Sequence, residues 1–322
     1  MRAIISVNRG AMTIVGMMME HQAELGVRVE EHRNGATLID CGVHARGSIQ
    51  AGAHFVEVCL GGLATTAITM ERVGEIHVPF LHLVVNHPAV ACLGSQKAGW
   101  VLKVGDYSGM ASGPARALAQ KPKETYRKIA YQDTATVGVL ALESEALPGE
   151  DVTGQIATTC GIEPDDLYVL VAPTRSIVGS VQVPGRIVTA TLHRLEEGGY
   201  DTRRVLHATS RVPIAPVKKT VLEAMGTTND CIIYGGSVCL IVAEEDPVFA
   251  HLHSRTSPDY GRPFARVLAD AGHDLVKVES HLGFSPAEVT VNVLSTGTVH
   301  HFGSPDPAVL LESFGVREGT RQ

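Results

Sequence analysis

Long apolar runs, basic tracts and closely spaced cysteine pairs are all missing from this 322-residue sequence, and each absence excludes a class of protein. No apolar stretch approaches the ~20 residues that a membrane-spanning helix needs, and Asn8-Arg9-Gly10 interrupts the first apolar residues before a secretory signal forms. The 27 lysines and arginines are outnumbered by 34 aspartates and glutamates, so the sequence does not favour a nucleic-acid partner. The six cysteines include no C-x-x-C pair, which indicates buried free thiols in a reducing compartment. We therefore expect a soluble cytoplasmic protein that binds neither membranes nor nucleic acids.

The sequence also lacks the short motifs that mark several common enzyme classes. It contains no G-x-x-x-x-G-K-[ST] phosphate loop, no G-x-G-x-x-G opening a helix and no G-x-S-x-G nucleophile elbow. His251-x-His253 and His300-His301 have no carboxylate or cysteine at ligand spacing, so we interpret them as surface or structural histidines. Neither a bound nucleotide nor a metal site is predicted.

What the sequence does contain is a regular alternation of strand and helix signals. Asn34-Gly35 separates two strand-like runs and predicts a hairpin. Ser48 is a helix-opening residue, and Gly61-Gly62 ends the helix that it opens. Strand-like VPFLHLVVN ends at Pro88, and the following AVACLGSQKAGW is typical of a helix. This alternation indicates an α/β fold.

The chain length suggests two domains or one large one. The stretch LESEALPGEDV, residues 142–152, is the most acidic and turn-rich part of the chain, and we interpret it as a connection between them. The division gives an N-terminal α/β domain over residues 1–150 and a C-terminal α/β domain over residues 151–322, either of which can be discontinuous. A surface loop within one domain is equally compatible with the composition.

Two cationic residues lie in apolar or small-residue surroundings. Lys97 is part of GSQKAGW, and Arg186 follows Pro184-Gly185 in the first turn of a predicted helix, VPGRIVTATLHRL. An arginine at that end does not complement the helix dipole, whose positive end is already there. Either residue can also extend its charged group into solvent, and small-residue clusters such as Ser112-Gly113-Pro114 are typical of turns as well as of ligand sites.

Specific sequence blocks carry a resemblance to a known family. They are RNGATLIDCGVHARGSIQAG, FVEVCLGGLA, LGSQKAGW, SGPARALA, VLVAPT with GSVQVPGR, LHRLEEGGYD, PIAPV, GTTNDCIIYGG, FSPAEVTVN and LLESFG. In these blocks, which run in the family's order over nearly the whole chain, the sequence resembles methenyltetrahydromethanopterin cyclohydrolases. The resemblance implies two α/β domains with a deep pocket between them, assembled as a homo-oligomer, a trimer. It also implies hydrolysis of the cationic N5,N10-methenyl pterin to its N5-formyl form in one-carbon metabolism, without a metal or a further cofactor.

The resemblance implies that the segment containing Arg186 is part of the active site. The corresponding family motif has an arginine and, three residues later, a glutamate that is the acid/base group. Arg186 matches the arginine, but Thr189 stands in the place of the glutamate. A threonine hydroxyl cannot act as a general base near neutral pH. Arg175 is a second departure, because the resemblance implies a small residue there.

We therefore predict a catalytic set of Arg186, Thr189 and Glu57, in which Thr189 orients water and another carboxylate is the base. Glu57 is the first candidate because it is a lone acid in the apolar segment FVEVCLGG, although a capped or exposed glutamate is the simpler interpretation. The predicted substrate-binding set is Gln96, Lys97, Ser112, Gly113 and Arg175.

Three functions remain open at this point. The chain is a cyclohydrolase on the methenyl pterin or a close relative; or it acts on another cyclic amidine, imine or formamide whose anionic group is bound by Arg175 and Arg186. The third is a pterin-binding protein that has lost the base.

Overall fold

The computed structural model describes residues 5–272, 278 and 284–316. Its strands are β1 (Arg28–Glu31), β2 (Thr37–Asp40), β3 (Ala64–Val73), β4 (Ile76–Asn86), β5 (Trp100–Val104), β6 (Tyr107–Ser112), β7 (Gly138–Glu143), β8 (Leu167–Val171), β9 (Val205–Pro213), β10 (Ser237–Val242), β11 (Glu288–Val293) and β12 (Thr298–Gly303). Its α-helices are α1 (Val7–Glu20), α2 (Gln22–Leu25), α3 (Ile49–Cys59), α4 (Ala115–Ala119), α5 (Lys123–Ile129), α6 (Glu150–Cys160), α7 (Ile177–Gln182), α8 (Ile187–Glu197), α9 (Val221–Asp230), α10 (Phe264–Asp270) and α11 (Pro307–Phe314).

Two π-helices, π1 (Ala89–Gln96) and π2 (Cys231–Gly235), and several short 3₁₀ turns complete the described elements. The 3₁₀ turns span Pro164–Asp166, Pro184–Arg186, Thr202–Arg204, Pro247–His251 and Ser254–Thr256. None of the described helices combines the length and the apolar character needed to span a bilayer.

The strands form two sheets, each mixed in direction. The first has the order β1-β2-β8-β7-β6-β5, with β2, β8 and β7 parallel to one another. The second has the order β12-β11-β10-β9-β4-β3, with β10 and β11 parallel. Helices pack against both sheets, so the α/β class predicted from the alternation is confirmed.

The sheets draw on interleaved parts of the chain. The neighbouring parallel strands β7 and β8 lie on opposite sides of residue 150, while β3 and β4 of the second sheet precede it. The acidic stretch near residue 150 thus connects two strands of one sheet, and a division there does not separate the sheets. Each sheet is therefore built from strands that are not consecutive along the chain.

Local signals in the sequence account well for several elements. The strands β1 and β2 pair antiparallel around Asn34-Gly35, where Gly35 has a φ of +93°. Ser48 accepts a hydrogen bond from the Ala51 amide at 3.0 Å and so caps α3, which supplies one of the amide partners that a helix start lacks. The hairpin and the helix start are both confirmed.

The predicted helix over residues 89–100 is shorter in the structure. It is a π-helix that ends at Gln96, and Trp100 already begins β5. Lys97 follows the helix with a ψ of 126°, an extended conformation, so the chain turns away at the residue that was expected to lie on a helix. π-helical segments recur at functional sites, and this one delivers Gln96 and Lys97 toward α8.

Candidate active site

A cavity of about 350 Å³ lies between the first sheet and the helices that cover the second. Strands β6 and β7 of the first sheet supply Met110 and Glu143 to its wall, and helix α8 supplies Ala190 and His193. The remaining lining side chains are Lys97, Ala98, Thr174, Val183, Arg186, Thr189, Glu197, Met225, Thr228, Asn229, Ile232 and Phe284. The wall is mostly apolar with a few charged groups, which is typical of a small-molecule site.

Arg186 is the last residue of the 3₁₀ turn that leads into α8, and its guanidinium points at the cavity wall. It donates to Gln182 Oε1 from Nε at 3.1 Å and from Nη2 at 2.9 Å. It also donates from Nη1 to the Gln96 carbonyl at 2.8 Å and from Nη2 to Ser112 Oγ at 3.1 Å. These acceptors are all uncharged, and no carboxylate of the described residues lies within 4.0 Å of the guanidinium. This part of the pocket therefore carries a fixed positive charge whose described partners are neutral.

Thr189 lies one helical turn beyond Arg186 and is 6% exposed. Its Oγ1 donates to Gln96 Oε1 at 2.5 Å, and the Gln96 amide donates in turn to the Gly185 carbonyl at 3.3 Å. Gln96 thus holds both residues, Thr189 through its side chain and Arg186 through its backbone. The hydroxyl hydrogen of Thr189 is engaged with protein, and the oxygen retains acceptor capacity toward the pocket.

Lys97 joins the pocket to a charged network on α8. Its Nζ lies 3.0 Å from Glu196 Oε2 and 3.0 Å from His193 Nδ1. Hydrogen bonds from His193 and then from Lys97 lower the pKa of Glu196 to about 2. The lysine charge is therefore neutralised by Glu196, in contrast to the charge of Arg186.

Ser112 supports Arg186 from behind the cavity wall, and Gly113 follows it in the chain. Ser112 is 2% exposed, and besides accepting from Arg186 it lies 3.5 Å from the Ala141 carbonyl. Gly113 has a φ of +95°, and a Cβ there would meet the Ala141 amide nitrogen at 3.2 Å. The structure brings Ser112 into contact with Arg186, whereas Gly113 is adjacent in the chain and does not line the cavity.

Two predicted site residues, Glu57 and Arg175, are not brought to the pocket. Glu57 accepts bonds at 2.8 Å from both the amide and the hydroxyl of Thr66, and His54 Nδ1 lies 3.1 Å from its other oxygen. Although burial alone would raise the pKa of Glu57, these bonds lower it. The lone acid of the apolar helix is thus a partner of β3, and it does not line the cavity.

Arg175 is half exposed and donates to Glu145 Oε2 at 2.6 Å. Its charge is paired at the surface rather than added to the cavity wall. The geometry gives no support to a substrate-binding role for it.

Glu143 is a pocket residue that the sequence interpretation missed. It ends β7, it lines the cavity, and its Oε1 accepts a hydrogen bond from Thr174 Oγ1, which follows β8. The signal that marks it is a lone acid at the carboxyl end of the apolar strand GVLALE, since the carboxyl ends of adjacent parallel strands are where ligands bind in α/β sheets.

The cysteines near the site are poor nucleophiles. Burial raises the pKa of Cys92 to about 12, and it also raises the pKa of Cys59, whose Sγ lies 3.9 Å from Ser112 Oγ. Within the described residues, no group of three or more histidine, cysteine, aspartate or glutamate side chains is placed to hold a metal ion. The pocket offers electrostatic stabilisation by Arg186 and proton transfer by a carboxylate or imidazole.

Comparison with known proteins places this chain in a family. The family model described as Cyclohydrolase (MCH) matches residues 6–314. A methenyltetrahydromethanopterin cyclohydrolase of Methanospirillum hungatei is 44% identical over 97% of this chain and 99% of its own length. Proteins of the same name from Methanothermobacter marburgensis and Methanocaldococcus jannaschii are 43% and 42% identical, over 97% and 98% of this chain and 100% of their own lengths.

Proposed function

The chain belongs to the cyclohydrolase (MCH) family, and we propose that it hydrolyses the methenyl bridge of N5,N10-methenyltetrahydromethanopterin, or of a close pterin relative, to give the N5-formyl form. The observation that carries the proposal is Arg186, a fixed cation held by uncharged partners in an otherwise largely apolar cavity. Similarity to relatives of that name along nearly the whole chain supports the same reaction.

The chemistry explains why an arginine with neutral partners is useful. Water must add to a cationic amidinium carbon, and negative charge develops on its oxygen as it loses a proton. A guanidinium fixed beside that oxygen stabilises the developing charge and lowers the pKa of the attacking water. A carboxylate bonded to Arg186 would cancel this effect, so the uncharged acceptors Gln182, Ser112 and the Gln96 carbonyl leave the charge available.

The apolar part of the wall suits the flat, extended pterin. Met110, Met225, Ile232 and Phe284 line the cavity and can pack against aromatic rings, whereas Asn229 offers polar contacts to a ring edge. Holding the ring rigidly supplies several kcal/mol of barrier lowering, because the reacting atoms are placed before the reaction begins.

We extend the proposal to cofactor needs, location and assembly. The pterin is proposed as substrate, and we propose that no metal or further cofactor is required. Activity that survives dialysis against a chelator would support this.

A cytoplasmic location is supported by the described cysteines, which are all free and mostly buried. A homo-oligomer, a trimer by family resemblance, is supported by an apolar groove whose rim exposes Ile49, Val217 and Val316. Light scattering of the purified protein measures the assembly state.

A second function is favoured by the same arginine. A guanidinium held by neutral groups also binds a carboxylate or phosphate, so a cyclic amidine that carries an anionic group is the alternative substrate class. A pterin-binding protein without hydrolytic activity is the third, because Thr189 cannot act as a general base.

One experiment separates the three. The purified protein is mixed with the methenyl pterin, loss of the methenyl absorbance is followed, and binding of the pterin is measured by calorimetry. Hydrolysis well above the buffer rate supports the cyclohydrolase. Tight binding with hydrolysis at the buffer rate indicates a pterin-binding protein, and absence of binding indicates the alternative amidine.

A further inference from the structure

The proposed hydrolysis needs a group that accepts a proton from water, and the described pocket contains few candidates. Lys97 and Arg186 are cations, and Thr189 is a hydroxyl that already donates to Gln96. Glu197 is nearly half exposed and lies 3.0 Å from Arg194, so its charge is paired at the pocket rim. These groups are unsuited to take the proton.

His193 already contacts several charged groups. Its Nδ1 lies 3.0 Å from Lys97 Nζ and 3.7 Å from Glu196 Oε2. Its Nε2 lies 3.6 Å from Glu197 Oε1. Both ring nitrogens therefore face charged side chains.

Glu143 differs from these groups. Its described hydrogen bond is the one from Thr174 Oγ1, and no lysine or arginine of the described residues lies within 4.0 Å of its carboxylate. It is partly buried in the cavity wall, so the second oxygen remains as an acceptor that is neither neutralised by a cation nor fully hydrated.

The strand register places Glu143 near the Arg186 charge. In the antiparallel pair of β6 and β7, Ser112 is opposite Ala141 and Met110 is opposite Glu143. Residues two apart on a strand share a face, so Glu143 lies on the face of Ser112, roughly 7 Å along the strand. Since Ser112 Oγ contacts Arg186 Nη2 at 3.1 Å, the carboxylate and the guanidinium flank one stretch of cavity without touching.

We propose that Glu143 is the catalytic carboxylate of this chain, the acid/base group that works opposite Arg186. The inference rests on the proposed function. The water oxygen forms a bond to the amidinium carbon while one water proton passes to the Glu143 carboxylate. Glu143 then returns that proton to the departing ring nitrogen, the carbon–nitrogen bond breaks with its electron pair on nitrogen, and the remaining hydroxyl proton leaves to solvent. The balance is methenyl cation plus water giving the neutral formyl compound and one proton.

The test compares E143Q with E145Q in the full-length protein. Glutamine keeps the acceptor for Thr174 but cannot carry the proton, so E143Q should lose about 10²- to 10⁴-fold in kcat with KM changed by a few-fold at most. E145Q removes a nearby surface carboxylate outside the cavity and should leave kcat unchanged. The acidic limb of the wild-type pH–rate profile should be absent from E143Q, and E143D should recover part of the rate. Thermal unfolding of each variant confirms that it is folded.

The outcomes separate this inference from the proposed function. Wild-type hydrolysis that E143Q retains in full overturns the role of Glu143 and leaves the cyclohydrolase assignment intact. A loss that appears in KM alone makes Glu143 a binding residue and also overturns the inference. If the wild type is inactive but T189E hydrolyses the pterin, Glu143 is not the base. If neither hydrolyses it, the proposed function itself fails.

Discussion

At the scale of single residues, the site is organised by an arginine whose described hydrogen-bond partners are all uncharged. Gln96 is buried and bonds both Arg186 and Thr189, so it fixes the two groups with respect to one another. Lys97 lies next to it in sequence but is neutralised by Glu196. The arginine at the N-cap of α8, which does not fit the helix dipole, is thus explained by the pocket that it faces.

Replacement of Thr189 by glutamate should raise the hydrolysis rate. A carboxylate at this position would stand one turn from Arg186 on the same helix face and supply a second acid/base group beside its charge. Because Glu143 already serves as the proposed acid/base group, we expect a gain of about tenfold in kcat rather than the full value of a general base. T189Q, which matches the volume without the proton affinity, should give no gain; stopped-flow absorbance measures both. A rate for T189E at or below that of T189Q contradicts the expectation.

Replacement of Arg186 by glutamine should affect kcat and KM in different ways. Loss of the fixed charge should lower kcat by about 10²- to 10³-fold, as loss of an oxyanion donor does. The methenyl substrate is itself a cation, so removal of a like charge from the pocket should leave its KM unchanged or lower it. Steady-state kinetics measure both effects. R186Q removes the positive charge, whereas R186K keeps the charge and changes the guanidinium geometry, so the two variants separate these contributions. A rise in KM with kcat unchanged would assign Arg186 to ordinary binding.

At the scale of elements, the packing of helix α3 against helix α7 positions the part of the site that contains Arg186. Helices α3 and α7 approach across Gly52, where an added Cβ would lie 2.6 Å from Val181 Cβ. Helix α7 ends at Gln182, which holds Arg186. The packing of α3 on α7 therefore sets the position of the arginine one element further along the chain.

Gly52 and Gly16 form a matched pair for testing this contact. G52A should lower the free energy of unfolding by about 1–3 kcal/mol, because the helices must separate or Val181 must shift. Gly16 lies in α1, is exposed and has nothing within 4 Å of an added Cβ, so G16A should raise that free energy by about 0.5–1 kcal/mol. Urea denaturation measures both. A G52A protein as stable as the wild type would mean that the two helices are not in close contact.

Features that depend on neighbouring residues could be predicted from the sequence, whereas contacts between distant elements could not. The hairpin at Asn34-Gly35 and the cap at Ser48 depend on neighbours in sequence, and both are confirmed. Glu143 was missed because its place in the pocket depends on β7 pairing with β6 and β8, and Glu57 was favoured because its partner Thr66 is on another element. Arg186 could be singled out from the sequence because a positive charge at the start of a predicted helix is unfavourable next to the positive end of the helix dipole.

At the scale of the whole molecule, the cavity lies between the first sheet and the helices that cover the second. The first supplies Glu143 and Ser112, and the helices on the second supply Arg186, Thr189 and His193. Neither sheet carries both charges of the proposed reaction, so the site exists only when the two units are joined. The ion pair of Lys97 and Glu196 ties the end of π1 to α8.

The free energy of unfolding should depend on pH through Glu196. Its pKa is about 2 in the folded protein against an ordinary value of 4.5, so the stabilisation is fully present above about pH 4.5 and is lost as the pH falls toward 2. Allowing for partial solvent screening, we expect E196Q to be less stable than the wild type by about 1–2 kcal/mol at neutral pH. The difference should shrink below about pH 4.5 and be largely lost at about pH 2, where the folded-state carboxyl titrates. Urea denaturation of both proteins across this range measures it, and a difference that is independent of pH would contradict the assignment.

The most direct test of the central claim is a crystal structure of the protein soaked with tetrahydromethanopterin. We expect the pterin in the cavity between the sheets, with its N5–N10 edge between the Arg186 guanidinium and the Glu143 carboxylate and a water within hydrogen-bond reach of both. An anion on Arg186 with no pterin in the cavity, or a pterin bound with that edge away from Arg186, would contradict the claim.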